Sequence, residues 1–160
     1  MVRARNYEEV ALGYNDEMAL QEANRCIKCP KRPCVEGCPV NVDIPDFITA
    51  LRDNNMPEAV RILKTKNSLP GVCGRVCPQE VQCESRCTLG KKGAPVAIGR
   101  LERYVADWEL NNRPGKNPPP DLPPPTGKKV AAIGSGPAGL TCAADLARMG
   151  HKVTTIDDTE

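Results

Sequence analysis

The 160-residue sequence has few aromatic residues, little net charge and no long apolar run, and each shortage excludes a class of protein. Phe, Trp and Tyr make up 3% of the chain, which leaves little aromatic material for a large core. The 22 basic and 20 acidic residues nearly cancel, so no strong field favours nucleic acid or an anionic membrane. No apolar run approaches the roughly 20 residues that a membrane-spanning helix needs. We therefore expect neither nucleic acid nor a membrane as a partner.

The N-terminal stretch MVRARNYEEV also lacks the apolar segment of a secretory signal. This favours a cytoplasmic location, where thiols stay reduced. The chain nevertheless contains nine cysteines. In a reducing compartment metal binding explains such a number better than disulfides do. A small domain with little core material also commonly relies on metal for its stability.

Composition divides the chain into three zones. Residues 1–110 contain eight of the nine cysteines, residues 111–128 contain seven prolines, and residues 129–160 have a strand–turn–helix–strand pattern. The proline-rich stretch favours an extended conformation and is predicted to be a linker. We therefore expect a mainly α domain, followed by the first βαβ unit of an α/β domain of the Rossmann type.

Three helices are predicted in the first zone. Asp43 and Pro45 suit the N-cap and first turn of a helix that runs through FITALRDN. Pro57 begins a second helix, PEAVRILKTK, and a third follows Pro95 through AIGRLERYVADWEL. Apolar residues recur along this third helix at helical spacing and predict a core-facing stripe. The stripe consists of Ala97, Leu101, Tyr104, Val105 and Trp108.

Eight cysteines form two tight groups. The groups read Cys26-x2-Cys29-x4-Cys34-x3-Cys38-Pro39 and Cys73-x3-Cys77-Pro78-x4-Cys83-x3-Cys87. Four thiolates on short loops can surround an iron–sulfur cube and direct backbone N–H groups at its sulfurs. In bacterial two-cluster ferredoxins the cysteine before proline ligates the other cluster. The same logic separates Cys38 from the rest of its group and predicts two clusters with interleaved ligands.

Zinc and disulfides are the alternatives to iron–sulfur clusters. Structural zinc usually pairs two Cys-x2-Cys knuckles, and only Cys26 and Cys29 have that spacing. A disulfide framework fits the even number of clustered cysteines but needs an oxidising compartment. Clusters are the favoured interpretation, and a zinc-stabilised interaction module without a redox role is the alternative.

Two long stretches closely resemble one protein family. They read CIKCPKRPCVEGCPVNVDIPDFI and GVCGRVCPQEVQCESRCTLGKKGAPVAIGRLERYVAD. The family is that of the NADPH-dependent glutamate synthase small subunit and the large subunit of NADH-dependent ferredoxin:NADP oxidoreductase. The N-terminal module of dihydropyrimidine dehydrogenase is similar but more distant. The resemblance covers nearly the whole chain.

The resemblance implies a specific set of ligands for two 4Fe-4S clusters. One cluster would be bound by Cys26, Cys29, Cys34 and Cys87. The other would be bound by Cys38, Cys77, Cys83 and Glu102. Cys73 is then left over, whereas the residues alone favour Cys73 as the eighth ligand because its sulfur is softer. Without the resemblance, Glu102 is an ordinary solvated helix residue.

The third zone has the pattern of a nucleotide-binding unit. The strand KVAAI precedes the turn Gly134-Ser135-Gly136-Pro137-Ala138-Gly139, and a helix ending at Gly150 and the strand HKVTTID follow. The glycines permit a tight turn, close approach of a pyrophosphate to the helix N-terminus, and packing of helix on strand. Asp157 lies at the end of the second strand, where a carboxylate hydrogen-bonds a ribose hydroxyl. Cys142 is expected to be a small buried residue of the helix.

The resemblance implies that the nucleotide is FAD, bound at an incomplete site, and that the NADPH site is absent from this chain. One βαβ unit cannot cover both faces of its strands. We therefore expect the remainder of the flavoprotein, or a complementing subunit, as a partner. The implied function is electron transfer between flavin and a redox partner subunit in an NADPH/FAD/iron–sulfur oxidoreductase. A stand-alone ferredoxin-like carrier is the alternative, and no residue pattern indicates a catalytic side chain.

Overall fold

The computed structural model describes residues 6–7, 9–112 and 122–158, which form a mainly helical region and a small βαβ unit. The helices of the first region are α1 (Asp16–Asn24), α2 (Pro33–Glu36), α3 (Ile44–Arg52), α4 (Met56–Lys66), α5 (Pro70–Val76) and α6 (Ile98–Asn112). Three short 3-10 turns lie between α5 and α6, at Gln79–Val81, Glu84–Arg86 and Thr88–Lys91. The unit that follows consists of β1 (Lys129–Ile133), α7 (Pro137–Arg148) and β2 (Lys152–Ile156). This architecture confirms the predicted fold class.

The predicted helix starts are confirmed to within a residue or two. α3 begins directly after Asp43 with Pro45 in its first turn, although the Asp43 side chain makes no capping hydrogen bond. α4 begins one residue before Pro57, because the Asn55 side chain accepts a hydrogen bond of 3.3 Å from the backbone N–H of Glu58. An N-cap of this kind satisfies a backbone donor that the first helical turn leaves without a partner. Pro45 and Asn55 thus provide local causes for the starts of α3 and α4.

The apolar core joins α1, α3, α4 and α6. Its fully buried members include Phe47 of α3, Leu63 of α4, and Leu101 and Val105 of α6. Tyr104 and Trp108 are partly buried and pack against this core, as the predicted stripe requires, whereas Ala97 precedes the helix. The core places α6 beside α4 and α5, where it can contribute a side chain to the cysteine loops.

α5 approaches α6 so closely that their backbones touch. A Cβ atom added at Gly74 would lie 2.6 Å from the backbone nitrogen of Arg103 and 2.8 Å from its Cα. Real Cβ atoms do not come so near to backbone, so only glycine fits at this crossing. Because Cys73 precedes Gly74 and Glu102 precedes Arg103, this contact sets the distance between two candidate ligands.

The two strands of the βαβ unit are parallel, with Lys129 opposite Lys152 and Ile133 opposite Ile156. α7 packs on both strands. The prediction that Cys142 is buried in this helix is wrong, because the Cys142 side chain is exposed. A single helix on a two-stranded sheet leaves most of its own surface uncovered, so position within α7 does not ensure burial.

α6 continues through Asn112, the second residue of the predicted linker. Asparagine is a poor helix residue but does not stop a helix whose preceding turns are packed. Residues 113–121 of the predicted linker lie outside the described residues, and Leu122 to Pro125 have no regular structure. The division of the chain at residues 110 and 128 stays a prediction. Among the described residues no helix is both long and apolar enough to cross a membrane.

Candidate iron–sulfur and nucleotide sites

One cavity brings together cysteines that are far apart in the sequence. Its sulfur-bearing residues are Cys26, Cys29, Cys34 and Cys87. Its other walls are mainly apolar and include Ile44 and Ile48 of α3 and Ile98 of α6. The first three cysteines of the first group thus lie with the last cysteine of the second. These four are the set that the resemblance assigns to one cluster.

A backbone N–H and a hydroxyl group lie close to sulfurs of this cavity. The backbone N–H of Val96 lies 3.5 Å from Cys87 Sγ. The Cys29 thiol lies 3.1 Å from the hydroxyl oxygen of Thr88 and donates to it. Hydrogen bonds to sulfur and low solvent exposure are two of the means by which proteins set the potential of an iron–sulfur cluster. Sequence reasoning missed Thr88, whose only signal is its position directly after Cys87.

A second cavity, of about 240 Å³, contains the remaining sulfur-bearing residues together with a carboxylate. The candidate ligands in its lining are Cys38, Cys73, Cys77, Cys83 and Glu102. Cys73 and Cys77 stand within and at the end of α5, and Glu102 comes from α6. The cavity thus separates Cys38 from its own sequence group, as the interleaved arrangement predicts. It contains both candidates for the eighth ligand.

Glu102 is not a solvated helix residue, because it is only 9% exposed. Burial raises the pKa of its carboxyl to about 7, and a hydrogen bond from Asn67 acts in the opposite direction. The Asn67 side chain donates this bond from Nδ2 to Glu102 Oε1 over 2.7 Å. A buried carboxylate needs such partners or a cation. Sequence reasoning missed Asn67. The sequence feature that points to it is its position at the end of a predicted helix, shortly before Pro70.

Burial also disfavours the thiolate forms of the cysteines. It raises the pKa of Cys34 to about 11 and that of Cys83 to about 12. The pKa of Cys77 is raised to about 11, by burial first and then by its neighbour Cys73. Thiolates are the metal-binding form. Coordination to a metal would favour the thiolate forms of these cysteines despite their burial.

The candidate metal ligands of the described residues are spread along the walls of the two cavities. In the part of the chain that the structure describes, no three His, Cys, Asp or Glu side chains are grouped tightly enough to hold one metal ion. Thiolates bound to one zinc all lie about 2.3 Å from it and so crowd together. Ligands of a cube stand at its corners and are further apart. The cysteine donors in both cavities are of the type that binds iron–sulfur clusters.

The glycine-rich turn connects β1 to α7 and leaves room beside the helix N-terminus. Gly134 has a φ of +93°, and no atom lies within 4 Å of a Cβ built on Gly134 or Gly136. A Cβ on Gly139 would instead collide with the carbonyl oxygen of Gly134. The first two glycines thus face open space and the third packs against the turn, as a phosphate-binding turn requires. Pro137 and Ala138 begin α7.

Asp157 follows β2 and reaches across to this turn. Its carboxylate accepts a hydrogen bond of 3.2 Å from the backbone N–H of Ser135, and another from the Ser135 hydroxyl. The structure therefore brings Asp157 and the glycine-rich turn together. Whether the carboxylate contacts a ribose stays a prediction.

Two family models match the chain. Residues 3–114 match the family described as dihydropyrimidine dehydrogenase domain II, 4Fe-4S cluster. Residues 133–160 match the NAD(P)-binding Rossmann-like domain. These matches confirm the iron–sulfur chemistry of the first region and the nucleotide-binding type of the second. The number of clusters and the identity of the nucleotide stay predictions.

Curated relatives match nearly the whole chain. The glutamate synthase [NADPH] small chain of Escherichia coli is 39% identical over 98% of this chain, and that of Halomonas elongata is 40% identical over 97%. The NAD-dependent dihydropyrimidine dehydrogenase subunit PreT of Escherichia coli is 37% identical over 95%. The chain spans about a third of the length of these relatives, at 33%, 32% and 36%. They confirm the resemblance predicted from the sequence, and the chain belongs to the dihydropyrimidine dehydrogenase domain II, 4Fe-4S cluster family.

Proposed function

We propose that this chain is the electron-transfer part of an NADPH/FAD/iron–sulfur oxidoreductase similar to the glutamate synthase small chain. The observation that carries the proposal is the sorting of the ligand candidates into two cavities. One cavity contains Cys26, Cys29, Cys34 and Cys87, and the other contains Cys38, Cys77 and Cys83 with both candidates for a fourth ligand, Glu102 and Cys73. Each cavity can therefore supply the four ligands that one cube requires, with Glu102 proposed as the fourth in the second cavity. When bound, two 4Fe-4S clusters supply one-electron chemistry to a flavin that accepts a hydride.

The chain's own residues would hold and tune the clusters. The apolar wall of the first cavity excludes water, and the backbone N–H of Val96 and the hydroxyl of Thr88 lie beside its sulfurs. The second cavity has an oxygen ligand candidate in Glu102. The two cavities therefore offer different ligand types and different polarity. This difference supports two clusters of unequal potential, which suits a chain that passes electrons in one direction.

The nucleotide unit lies beside the second cavity. Pro137 and Thr141, in the first turns of α7, are part of its lining. The helix end that would bind the pyrophosphate is therefore a neighbour of Cys38, Cys77 and Cys83. We propose FAD as the nucleotide, with Gly134–Gly139 at the pyrophosphate and Asp157 at the ribose. Partners would be the remainder of the flavoprotein or a complementing subunit, and a redox partner subunit.

Iron and sulfide analysis tests the clusters. Anaerobically prepared chain is expected to contain about eight iron and eight labile sulfide, two cubes' worth. Cys34→Ser and Cys83→Ser should each reduce the iron content by about half, because they remove ligands from different cavities. Cys142→Ser is the matched control and should retain all the iron, since Cys142 is exposed on α7. A colourless preparation with zinc in place of iron would show that the chain is an interaction module instead.

FAD titration tests the second part of the proposal. The 160-residue chain is expected to bind FAD weakly, and binding should become tight when the remaining flavin region is supplied in trans. The reason is that the turn at Gly134–Gly139 contacts phosphate, which accounts for only part of the interaction with a flavin. A chain that holds its clusters but binds no FAD in either experiment would be a stand-alone ferredoxin-like carrier.

A further inference from the structure

Asn67 lies at the second cavity, where α4, α5 and α6 meet. It ends α4, where its backbone N–H donates to the carbonyl of Leu63 over 2.9 Å. It is only 7% exposed, so it is one of the few polar side chains in the described core. A buried amide of this kind is kept where its donors and its acceptor all have partners.

The orientation of the Asn67 amide is fixed by a backbone group. The N–H of Leu69 lies 2.9 Å from Oδ1, and a backbone N–H can only donate. Oδ1 therefore faces Leu69, and the other end of the amide faces Glu102. From that end Nδ2 donates to Glu102 Oε1 over 2.7 Å. The bond fixes one oxygen of the carboxylate and leaves Oε2 available.

Cys73 lies on the acceptor side of the same amide. Its Sγ is 3.5 Å from Asn67 Oδ1, a contact in which the thiol donates. A thiolate bound to iron has no proton to donate and would face a partially negative oxygen instead. The amide thus directs its donor at Glu102 and its oxygen at Cys73, so it attracts a carboxylate at the first position and repels an iron-bound thiolate at the second.

We propose that Asn67 is the positioning residue that selects Glu102 over Cys73 as the eighth cluster ligand. The inference rests on the proposed function, because it requires a cluster in the second cavity. Asn67 itself binds no iron. It acts through the two side chains that compete for the same position, by holding one ready to coordinate and the other away.

The test compares iron content in single and double variants of the full chain, reconstituted anaerobically. Asn67→Ser is the main variant, because a serine hydroxyl can still accept from the N–H of Leu69 but is too short to reach Glu102. Asn67→Leu is a second variant that removes both interactions. The matched control is Asn55→Ser at the opposite end of α4, where serine is an equally good N-cap.

We expect Cys73→Ser alone and Asn67→Ser alone each to retain about eight iron, because one candidate ligand remains in each variant. The double variant Asn67→Ser with Cys73→Ser should retain about four, and the first cluster should show that the chain has folded. In Asn67→Ser alone, the electron paramagnetic resonance spectrum of one of the two reduced clusters should change, because sulfur replaces oxygen as its ligand. Asn67→Leu should reproduce both results.

Three results separate the inference from the function it rests on. If the double variant retains eight iron and the Asn67→Ser spectrum equals that of the unsubstituted chain, Asn67 selects no ligand. If Cys73→Ser alone loses about four iron, Cys73 is the ligand and the inference is overturned, while the two-cluster function stands. If the unsubstituted chain holds no iron–sulfur cluster, the proposed function itself fails.

Discussion

The helical region and the βαβ unit of this chain are stabilised in different ways. The helical region contains 17 of the 18 buried apolar residues in the described structure, and the βαβ unit contributes only Ala132. Ile133 and Met149 are 77% and 60% exposed, although such residues are usually buried. The comparison shows that the first region has a core of its own, whereas the second offers surfaces that further strands and helices normally cover.

The comparison extends to the two candidate sites. The candidate ligands of the cavities are half-buried or buried among packed helices, and they come from the two cysteine groups and from α6. The nucleotide turn, in contrast, is continuous in sequence and its residues are mostly exposed. A site of the first kind depends on the fold and also stabilises it. A site of the second kind forms locally, so its loss should affect the fold little.

Removal of iron should have the largest effect, and it should be confined to the helical region. Metal ligands supply folding free energy, and the apolar core here is small. We expect anaerobic chelation to remove about half or more of the helical circular dichroism signal. Amide hydrogen exchange should accelerate across residues 16–112 and change little across residues 129–156. Equal acceleration in both regions would show that they fold as one unit.

Gly74→Ala adds a single methyl group, and of such additions in the helical region it should lower the free energy of unfolding most. The added Cβ meets the backbone of Arg103 at 2.6 Å, and backbone cannot rotate away. Overpacking of this kind typically costs about 1–3 kcal/mol. Gly71→Ala is the control on the same helix, because its Cβ would make only an ordinary contact of 3.6 Å with Ala106. The measurement is the free energy of unfolding in denaturant, and equal values for the two variants would contradict the close crossing of α5 and α6.

Arg103→Met should have the next largest effect, since the Arg103 side chain is only 7% exposed. Its guanidinium donates to the carbonyl of Ala11 over 2.6 Å and pairs with Glu9 at 2.9 Å and Asp107 at 3.3 Å. These bonds hold the segment around residues 9–13 against α6. We expect a loss of about 2 kcal/mol, because the carbonyl and the carboxylates lose a buried charged donor.

Limited proteolysis should separate this effect from a general loss of stability. The segment around Ala11 should be cleaved much faster in Arg103→Met than in the unsubstituted chain. The control is Arg100→Met on the same helix, where the arginine is exposed and lies over the Tyr14 ring at 5.7 Å. If both variants are cleaved at the same rate, Arg103 does not anchor this segment.

Sequence reasoning predicted the elements that depend on local rules. The start of α3 follows from Pro45 in its first turn, and β1 has the predicted bounds. The interleaving of Cys38 with the second group also followed, because the spacing resembles that of ferredoxins. Burial of Cys142 was predicted wrongly, since burial depends on which neighbours are present and not on the helix pattern alone.

The Asn67 contacts could not be predicted from the sequence. Residues 67, 73 and 102 meet only because Gly74 lets α5 approach α6, and that approach depends on the absence of one methyl group. A glycine in a short helix has several explanations, and the sequence does not distinguish among them. Long-range polar contacts of this kind become visible only when the packing of the helices is known.

The smallest expected effect concerns the contact between the two regions. Ser68, between α4 and α5, accepts a hydrogen bond of 2.8 Å from Arg148 and donates one of 3.2 Å to Asp145, both on α7. All three side chains are in an exposed setting, where such polar contacts contribute about 0.5 kcal/mol or less. Ser68→Ala should therefore leave the unfolding free energy of the helical region unchanged within about 0.5 kcal/mol. The rate of amide hydrogen exchange across residues 137–148 should rise slightly.

Arg148→Met should give the same result, because it removes the donor of the 2.8 Å bond. A loss above about 1.5 kcal/mol in either variant would mean that the two regions stabilise each other through this contact, and the contrast between a self-sufficient region and a dependent one would have to be abandoned.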